Sequence, residues 1–412
     1  MYPIASNRAP ASVLSDAVPQ TDQPDAETLK HQIDDANQEL KRYVRTSDME
    51  NIRAFFGQSH SEAVLEGLTK GYTALHFAAV IDRADTVKVL LEYLPNAIDA
   101  ENGPGNTPLV VATKHGSLNT IRVLRAADAA LGATDEQGWT AFFWAAFLGA
   151  VDIIKALLGY ETGAADIKAN IEATDENGNT PVMVAIEERQ FEAAALLIEL
   201  GAEVNAKNND GATPAMLAAR NWDLETVRLL HENGADMNQK DKNGYSVLVY
   251  ATCKQKGQFD RQAASATVRQ LRYCGADLET SNYRWDTPLV IAFDLGQKMK
   301  STEGAEVLIA AGANINAKDN NGETVLMRVG VKKNREAVAL LLEKHVDVDA
   351  QDNQGWAALT HACSRSDVFF AQQLSSAGAS TQVRDSRGLR PIEHWPKGGD
   401  MSMAELFESL PK

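Results

Sequence analysis

The chain has 412 residues, with 40 Lys and Arg against 56 Asp and Glu, so its formal net charge is −16. A surface this acidic repels phosphate backbones and anionic lipids, which argues against nucleic acids and membrane surfaces as partners. A protein partner with a basic or apolar surface is compatible with this charge.

The cysteine content and the N-terminus both bear on location. Cys253, Cys274 and Cys363 are the only cysteines and form no CxxC pair. This argues against a disulfide framework and a zinc site, and indicates a reducing compartment. No basic leader precedes a long apolar run, and no apolar segment reaches about 18 residues. We therefore expect a cytoplasmic protein.

The first part of the chain divides into a tail and a helical segment. Residues 1–26 contain four prolines among Ser, Ala, Asp and Gln, a composition typical of a flexible tail. Helical periodicity begins near Thr28, so residues 27–66 are predicted to form N-terminal capping helices.

Residues 67–387 repeat one pattern nine times. The copies are GYTALHFAA at Gly71, GNTPLVVAT at Gly105, GWTAFFWAA at Gly138, GNTPVMVAI at Gly178, GATPAMLAA at Gly211, GYSVLVYAT at Gly244, WDTPLVIAF at Trp285, GETVLMRVG at Gly322 and GWAALTHAC at Gly355. A degenerate tenth copy, GLRPIEHWP, starts at Gly388, and we expect residues 388–412 to form a C-terminal cap. The spacings are 34, 33, 40, 33, 33, 41, 37, 33 and 33 residues, so the modal period is 33.

The repeat can be interpreted residue by residue. Glycine suits a left-handed turn, threonine can cap a helix, and proline fits the first helical turn. Each unit buries little alone, so stability must come from stacked neighbours. The period and motif resemble the ankyrin repeat family. The resemblance implies an all-α repeat solenoid, an ankyrin-type stack of helix pairs with β-turn fingers, with about nine repeats plus end caps.

The stretch EQGWTAFFWAAFLGA, residues 136–150, holds five aromatic residues that the register separates. Phe142, Phe143 and Trp144 align with mainly apolar residues, so we expect all three in the core. Trp139 and Phe147 belong to columns that elsewhere contain charged or polar residues, so both are expected to face water.

The Trp139 column contains Tyr or Trp four times, at Tyr72, Trp139, Tyr245 and Trp356. The resemblance places this column and that of Phe147 on the finger and inner-helix surface, the concave face where partners commonly bind. Large aromatic side chains there are useful contacts. The alternative is that isolated exposed aromatics are normal and bind nothing.

Two copies depart from the pattern in an informative way. Trp285 replaces the turn glycine, and since a left-handed conformation is unfavourable for tryptophan, we expect a reshaped finger. Tyr283, Arg284 and Trp285 would then form a binding tip, although simple degeneration of the repeat explains them equally. His76 alone keeps the family's turn histidine, and the resemblance implies a structural role for it.

Two adjacent units have longer links between their helices, within residues 253–267 and 294–304. Both links are locally basic, with Lys254, Lys256 and Arg261 in the first and Lys298 and Lys300 in the second. Insertions in solenoids map to surface loops, often on a binding side. Solvated loops without function are the alternative.

No pattern in the chain indicates catalysis. The eight histidines form no HxxxH pair, and no dinucleotide, nucleophile-elbow or kinase signature is present. We expect no catalytic residue, no metal and no cofactor. The interpretation is a monomeric protein-interaction scaffold or adaptor. Two alternatives remain: a bacterial ankyrin-repeat effector exported to a host cell, and an enzyme with an unrecognised site in the inserts.

Overall fold

The computed structural model describes residues 26–159, 164–253, 259–299 and 301–396. The expected tail before Ala26, the lysines Lys254, Lys256 and Lys300, and the end of the expected C-terminal cap lie outside these residues. Within the described residues the chain is helical, and the nearest approach to a sheet is one isolated bridge between Lys318 and Thr324.

Three helices precede nine helix pairs. The preceding helices are α1 (Ala26–Thr46), α2 (Met49–Phe56) and α3 (Glu62–Gly67). The pairs are α4 (Ala74–Val80) with α5 (Ala84–Tyr93), α6 (Pro108–Lys114) with α7 (Leu118–Ala126), α8 (Ala141–Phe147) with α9 (Val151–Leu158), and, after the additional helix α10 (Ala164–Ile171), α11 (Pro181–Glu187) with α12 (Phe191–Glu199), α13 (Pro214–Asn221) with α14 (Leu224–Glu232), α15 (Val247–Thr252) with α16 (Arg261–Tyr273), α17 (Pro288–Met299) with α18 (Glu303–Ala310), α19 (Val325–Val331) with α20 (Arg335–Glu343), and α21 (Ala358–Ser364) with α22 (Val368–Ser376). Short 3₁₀ helices span Pro95–Ala97 and Pro391–His394.

Four first helices, α4, α6, α13 and α19, begin at a repeat threonine whose hydroxyl caps the helix. The Thr107 hydroxyl accepts the N–H of Val110 at 3.4 Å, and Pro108 occupies the first helical turn, where no intrahelical donor is needed. The hydroxyls of Thr73, Thr213 and Thr324 cap their helices in the same way. The same local chemistry therefore begins the first helix in these four units.

Each pair packs on the next pair in sequence. First helices contact the following first helices, as α11 contacts α13, and most second helices contact the following second helices, as α12 contacts α14. One apolar core runs continuously from Ala36 to Ala379. At the N-terminal end α1 packs on α4 and α2 on α5, and the 3₁₀ helix Pro391–His394 packs on α21. The stack of helix pairs predicted from the repeat is confirmed.

The fingers are linked by backbone hydrogen bonds, but only at some junctions. We call this set of bonds the finger ladder. It comprises Glu136 N to Pro104 O at 3.2 Å, Asn209 N to Asn177 O at 2.8 Å, Lys242 N to Asp210 O at 2.9 Å, Asn353 N to Asn321 O at 2.9 Å and Ser386 N to Gln354 O at 3.0 Å. These five junctions are the five whose repeat spacing is 33 residues. At the other four, all within described residues, the equivalent bond is absent.

The expectation that Trp285 reshapes its finger is wrong. Trp285 adopts the left-handed conformation, with a φ of 65°, and its N–H donates to Asn282 O at 3.0 Å. The Asn282 side chain accepts the N–H groups of Arg284 at 2.8 Å and Asp286 at 2.9 Å. These hydrogen bonds hold the standard turn despite the strain at tryptophan.

The sequence had suggested that the longer links are surface loops, but in the described residues they are partly helical. Much of the added length extends helices: α16 has 13 residues and α17 has 12, whereas α6 has 7 and α14 has 9. Arg261 starts α16 and pairs with Glu306 of the next unit. In the described parts of the chain, no helix combines the length and apolar character needed to cross a membrane.

Candidate partner-binding surface

The eight residues expected to contact a partner differ in exposure. Tyr72, Tyr283 and Trp285 are 41%, 70% and 56% exposed, and Arg284 is exposed as well. The others are half-buried, namely Trp139, Phe147, Tyr245 and Trp356. All eight therefore present some surface to solvent. The structure does not join them into one patch, because Tyr72, Tyr245 and Trp356 belong to separate units.

Trp139 and Phe147 do come together, with Trp144 between them. The ring centroids are 4.9 Å apart for Trp139 and Trp144, 5.5 Å for Trp139 and Phe147, and 5.8 Å for Trp144 and Phe147. Phe143, which is fully buried, stacks beneath Trp139 at 6.0 Å. We call Trp139, Trp144 and Phe147 the aromatic cluster. It joins the third finger to helix α8, and its edge-to-face contacts hold the rings in place.

The expectation that Trp144 lies in the core with Phe142 and Phe143 is wrong. Phe142 and Phe143 are 0% exposed, as expected, but Trp144 is half-buried. Its indole Nε1 donates to Asp135 Oδ2 at 2.9 Å, which holds the ring towards the finger. At the edge of the core the indole N–H can hydrogen-bond to Asp135. If the ring were fully buried among apolar side chains, this N–H would have no acceptor.

Asp135 organises this region. Its Oδ1 accepts the backbone N–H groups of Gln137 and Trp139, both at 3.0 Å, and its Oδ2 lies 2.9 Å from Lys114 Nζ. The Lys114 ammonium is also 4.3 Å from the centre of the Trp144 ring. Burial alone would raise the pKa of Asp135, but the hydrogen bonds from Lys114, Trp144 and the backbone outweigh it and hold the pKa below its usual value.

The same aspartate–donor pair recurs in four later units, and the sequence analysis missed it. Asp241 Oδ2 accepts from Tyr250 Oη at 3.0 Å, and Asp319 Oδ2 accepts from Arg328 at 3.0 Å. His361 Nε2 lies 3.0 Å from Asp352 Oδ2, and His394 Nε2 lies 3.0 Å from Asp385 Oδ2. In the first three of these pairs, a side chain at the end of the finger thus hydrogen-bonds to one on the first helix. His394, on the 3₁₀ helix, is close to Asp385 without a hydrogen bond from its Nε2.

A signal for these pairs is present in the sequence. An aspartate three residues before the turn position accompanies a donor side chain six residues after it in each of the five units. Where the helix residue is apolar, the finger residue is Asn in three units: Asn102 with Val111, Asn208 with Leu217, and Asn282 with Ile291. Asp175 with Val184 and Leu68 with Phe77 are the exceptions. Comparing the two columns, rather than each alone, would have found the pairs.

The other aromatic residues have their own neighbours. Lys41 lies over the Tyr72 ring at 4.8 Å, and Trp356 meets the rings of His361 and His394 at 5.1 Å and 4.7 Å. Burial raises the pKa of both Tyr72 and Tyr245, so neither phenol ionises near neutral pH.

Several charged residues of the first helices are paired within the chain. Arg220 binds Glu187 at 2.6 Å, Lys332 pairs with Asp294, and Arg328 binds Asp286 at 2.5 Å as well as Asp319. Because these charges neutralise one another, this part of the surface attracts neither sign strongly.

The buried titratable groups have structural environments. His76 has its Nδ1 3.2 Å from the N–H of Thr73 and its Nε2 2.9 Å from Asn106 O of the next finger, which agrees with the structural role implied for it. The three cysteines are buried free thiols, and burial raises the pKa of Cys253 and of Cys363 to about 12. These thiols are poor nucleophiles.

Comparison with known proteins agrees with this architecture. The family model described as ankyrin repeats (3 copies) matches residues 44–135, 126–208, 201–282 and 296–385. Human Rabankyrin-5 is 33% identical over 134 residues, which are 32% of this chain and 11% of that protein. The glycerophosphocholine phosphodiesterase GDE1 of Candida albicans is 31% identical over 86 residues, 21% of this chain and 7% of that protein. The chain thus spans about a tenth of these relatives or less.

A solved structure is also similar. The ankyrin repeat domain of Bcl-3, described as a unique member of the IkappaB protein family, has 28% sequence identity and a TM-score of 0.48. The alignment covers 57% of this chain and 97% of the Bcl-3 domain.

Proposed function

The chain belongs to the ankyrin repeat family, and from this premise we propose that it is a scaffold or adaptor that binds a protein partner through the aromatic cluster. Ankyrin repeats are generally protein–protein interaction modules. The observation that carries the proposal is the group formed by Trp139, Trp144 and Phe147, three partly exposed rings in mutual contact on one finger and its helix.

The physical case rests on rigidity and on the lack of competing charge. Rings that already contact one another lose little conformational entropy on binding, and tryptophan is enriched among residues that dominate binding energy. Asp135 is paired with Lys114, so the nearest charges do not oppose an apolar partner. The net charge of −16 favours approach of a partner with a basic surface around the apolar contact.

The tip of the seventh finger supports a separate contact with a partner. Tyr283, Arg284 and Trp285 are exposed together, and Trp285 occupies a left-handed conformation that costs a tryptophan roughly 1–2 kcal/mol. Strain of this kind is retained more often at functional sites than elsewhere. We propose this finger tip as a second part of the binding surface.

The test is a pull-down with the full-length chain. Trp139→Ala with Phe147→Ala should lose the captured partner, because a central aromatic anchor contributes about 2 kcal/mol, roughly thirtyfold in affinity. The matched control is Phe191→Ala, which removes a ring that is 44% exposed on the second helix α12. Equal capture by the double variant and the control, with both folded by circular dichroism, would rule out the aromatic cluster as the contact.

The same preparation decides between the alternatives. A stoichiometric partner supports the scaffold, whereas a lysate component that is chemically changed but not retained supports an enzyme. Light scattering of the free chain tests whether it is a monomer, as we propose. Immunolocalisation distinguishes a cytoplasmic adaptor from an effector exported to a host cell, which would use the same surface.

A further inference from the structure

Three side chains meet at the junction of the eighth and ninth units. Glu323 comes from the eighth finger, Asp352 from the ninth finger and His361 from helix α21. One ligand atom of each lies within 4.8 Å of the others, and Asp352 Oδ2 is 3.0 Å from His361 Nε2. They line a surface cavity of about 360 Å³, together with Trp356 and Arg365 among others.

The equivalent junction one unit earlier shows what two carboxylates in this arrangement bind. Asp286 and Glu323 occupy the same position of the repeat, as do Asp319 and Asp352, and as do Arg328 and His361. At the earlier junction the Arg328 guanidinium lies between Asp286 at 2.5 Å and Asp319 at 3.0 Å. That guanidinium is a permanent cation. An imidazole in its place supplies a nitrogen lone pair instead of a fixed charge.

We propose that Glu323, Asp352 and His361 bind a divalent transition-metal ion such as Zn²⁺ at the place where the previous unit holds a guanidinium. One imidazole and two carboxylates are ligands that Zn²⁺ and Co²⁺ accept. Metal–ligand bonds of about 2.0–2.2 Å place neighbouring ligand atoms roughly 3–3.5 Å apart. Asp352 Oδ2 and His361 Nε2 are 3.0 Å apart, which already fits this range. The ion would replace the hydrogen bond between these two atoms, with His361 neutral and its remaining proton on Nδ1. The Glu323 side chain, which is partly exposed, closes the remaining distance by rotation.

The surroundings hold Asp352 in place. Asp352 Oδ1 accepts the backbone N–H groups of Gln354 and Trp356, both at 2.8 Å, which fixes the carboxylate and leaves Oδ2 directed at His361. Outer hydrogen bonds of this kind orient metal ligands. The cavity leaves the fourth position open to water or to a side chain of a partner. Arg365 is the exposed cation on the same cavity, and its charge opposes metal binding.

The experiment is metal titration of the full-length chain after treatment with a chelator. Calorimetry with Zn²⁺ and visible absorption with Co²⁺ should show one saturable site. Glu323→Gln and His361→Gln should each weaken binding at least tenfold, and Arg365→Gln should strengthen it. The matched control is His394→Gln, because His394 and Asp385 repeat the 3.0 Å pair at the next junction with Trp356 instead of a third ligand. That variant should bind metal as the unchanged protein does.

Glu323→Gln decides the outcome if the buried His361 variant fails to fold. Absence of saturable binding, or binding that Glu323→Gln leaves unchanged, would overturn the proposal. Loss of binding in His394→Gln with retention in Glu323→Gln would place the metal elsewhere and overturn it equally.

Discussion

Asp135 shows how one carboxylate can determine the surface of a repeat. Its side chain is 1% exposed, yet it reaches two backbone N–H groups, an ammonium and an indole. A buried carboxylate is stable only because these donors replace water. At the level of single residues, the positions of the partly exposed Trp139 and Trp144 rings therefore depend on the buried carboxylate of Asp135.

The first prediction concerns this charge. Asp135→Ala should destabilise the chain by about 1–2 kcal/mol more than Asp175→Ala, since Asp175 has the same finger position but faces the apolar Val184. The measurement is urea unfolding at pH 7. Because the folded-state pKa of Asp135 is lowered, its stabilisation is fully present above the unfolded pKa, near 3.9, and is lost as the pH falls through the folded value. A difference between the variants that persists unchanged at pH 2 would contradict this account.

The second prediction concerns Trp285. Trp285→Gly should raise the free energy of unfolding by roughly 0.5–1 kcal/mol, because relief of the left-handed strain exceeds the entropy that glycine adds to the unfolded chain. It should weaken binding of the captured partner at the same time. The control is Trp222→Gly: Trp222 has a φ of 57°, but its Nε1 donates to Ala251 O at 2.8 Å and its ring packs on Phe259. That variant should be less stable than the unchanged chain, and a Trp285→Gly variant that is also destabilised would refute the strain argument.

Helices approach one another closely where a side chain is missing. A Cβ atom added to Gly330 of α19 would lie 2.1 Å from the Phe370 ring of α22. Phe370 is 4% exposed and fills the space above the glycine. At the level of elements, a glycine within a helix here allows close packing between helices of neighbouring units rather than a turn.

The third prediction follows from that contact. Gly330→Ala should destabilise the chain by about 1–3 kcal/mol through overpacking. Phe370→Leu in the same chain should recover part of the loss by making room for the methyl group. Gly57→Ala is the control, since its added Cβ would meet nothing nearer than 3.4 Å. Denaturant unfolding of the four proteins gives the comparison, and equal effects of the two alanine substitutions would contradict it.

Across the whole molecule, the finger ladder divides the stack. It joins the second finger to the third, the fourth to the sixth, and the eighth to the tenth, and it is absent wherever the spacing departs from 33 residues. The helices continue to pack across each gap, as α8 does on α11. Neighbouring units are therefore coupled by helix packing and ladder bonds at five junctions, and by helix packing alone at the other four.

The fourth prediction uses amide hydrogen exchange. The amides of Asn209, Lys242 and Asn353 should exchange about tenfold more slowly than those of Glu176, Tyr283 and Asn320, which have the same position in their fingers but lack the ladder bond. Mass spectrometry of short peptic fragments can resolve the fingers. Uniform exchange among all six would show that the ladder does not contribute to local stability.

The sequence predicts the fold well because nine copies of one motif reinforce each other, and the errors arise where a single position depends on three-dimensional detail. Trp144 shares a column with Val and Leu, so the register could not show that its indole would bind Asp135. Trp285 was expected to distort a turn that Asn282 in fact holds. Glu323 and His361 are 38 residues apart. Only stacking brings them together, so the proposed metal site could not be read from local spacing.

The pairing of a finger aspartate with a helix donor also limits how such a chain can be recombined. The two members of a pair lie nine residues apart, one before the turn and one within the first helix, so a crossover between whole units carries both together. A crossover inside that interval would place Asp opposite valine, as Asp175 and Val184 already are, or Asn opposite arginine, so that a charged side chain loses its oppositely charged or hydrogen-bonding partner. A boundary between the second helix and the following finger therefore keeps every such pair intact when modules are exchanged, duplicated or grafted.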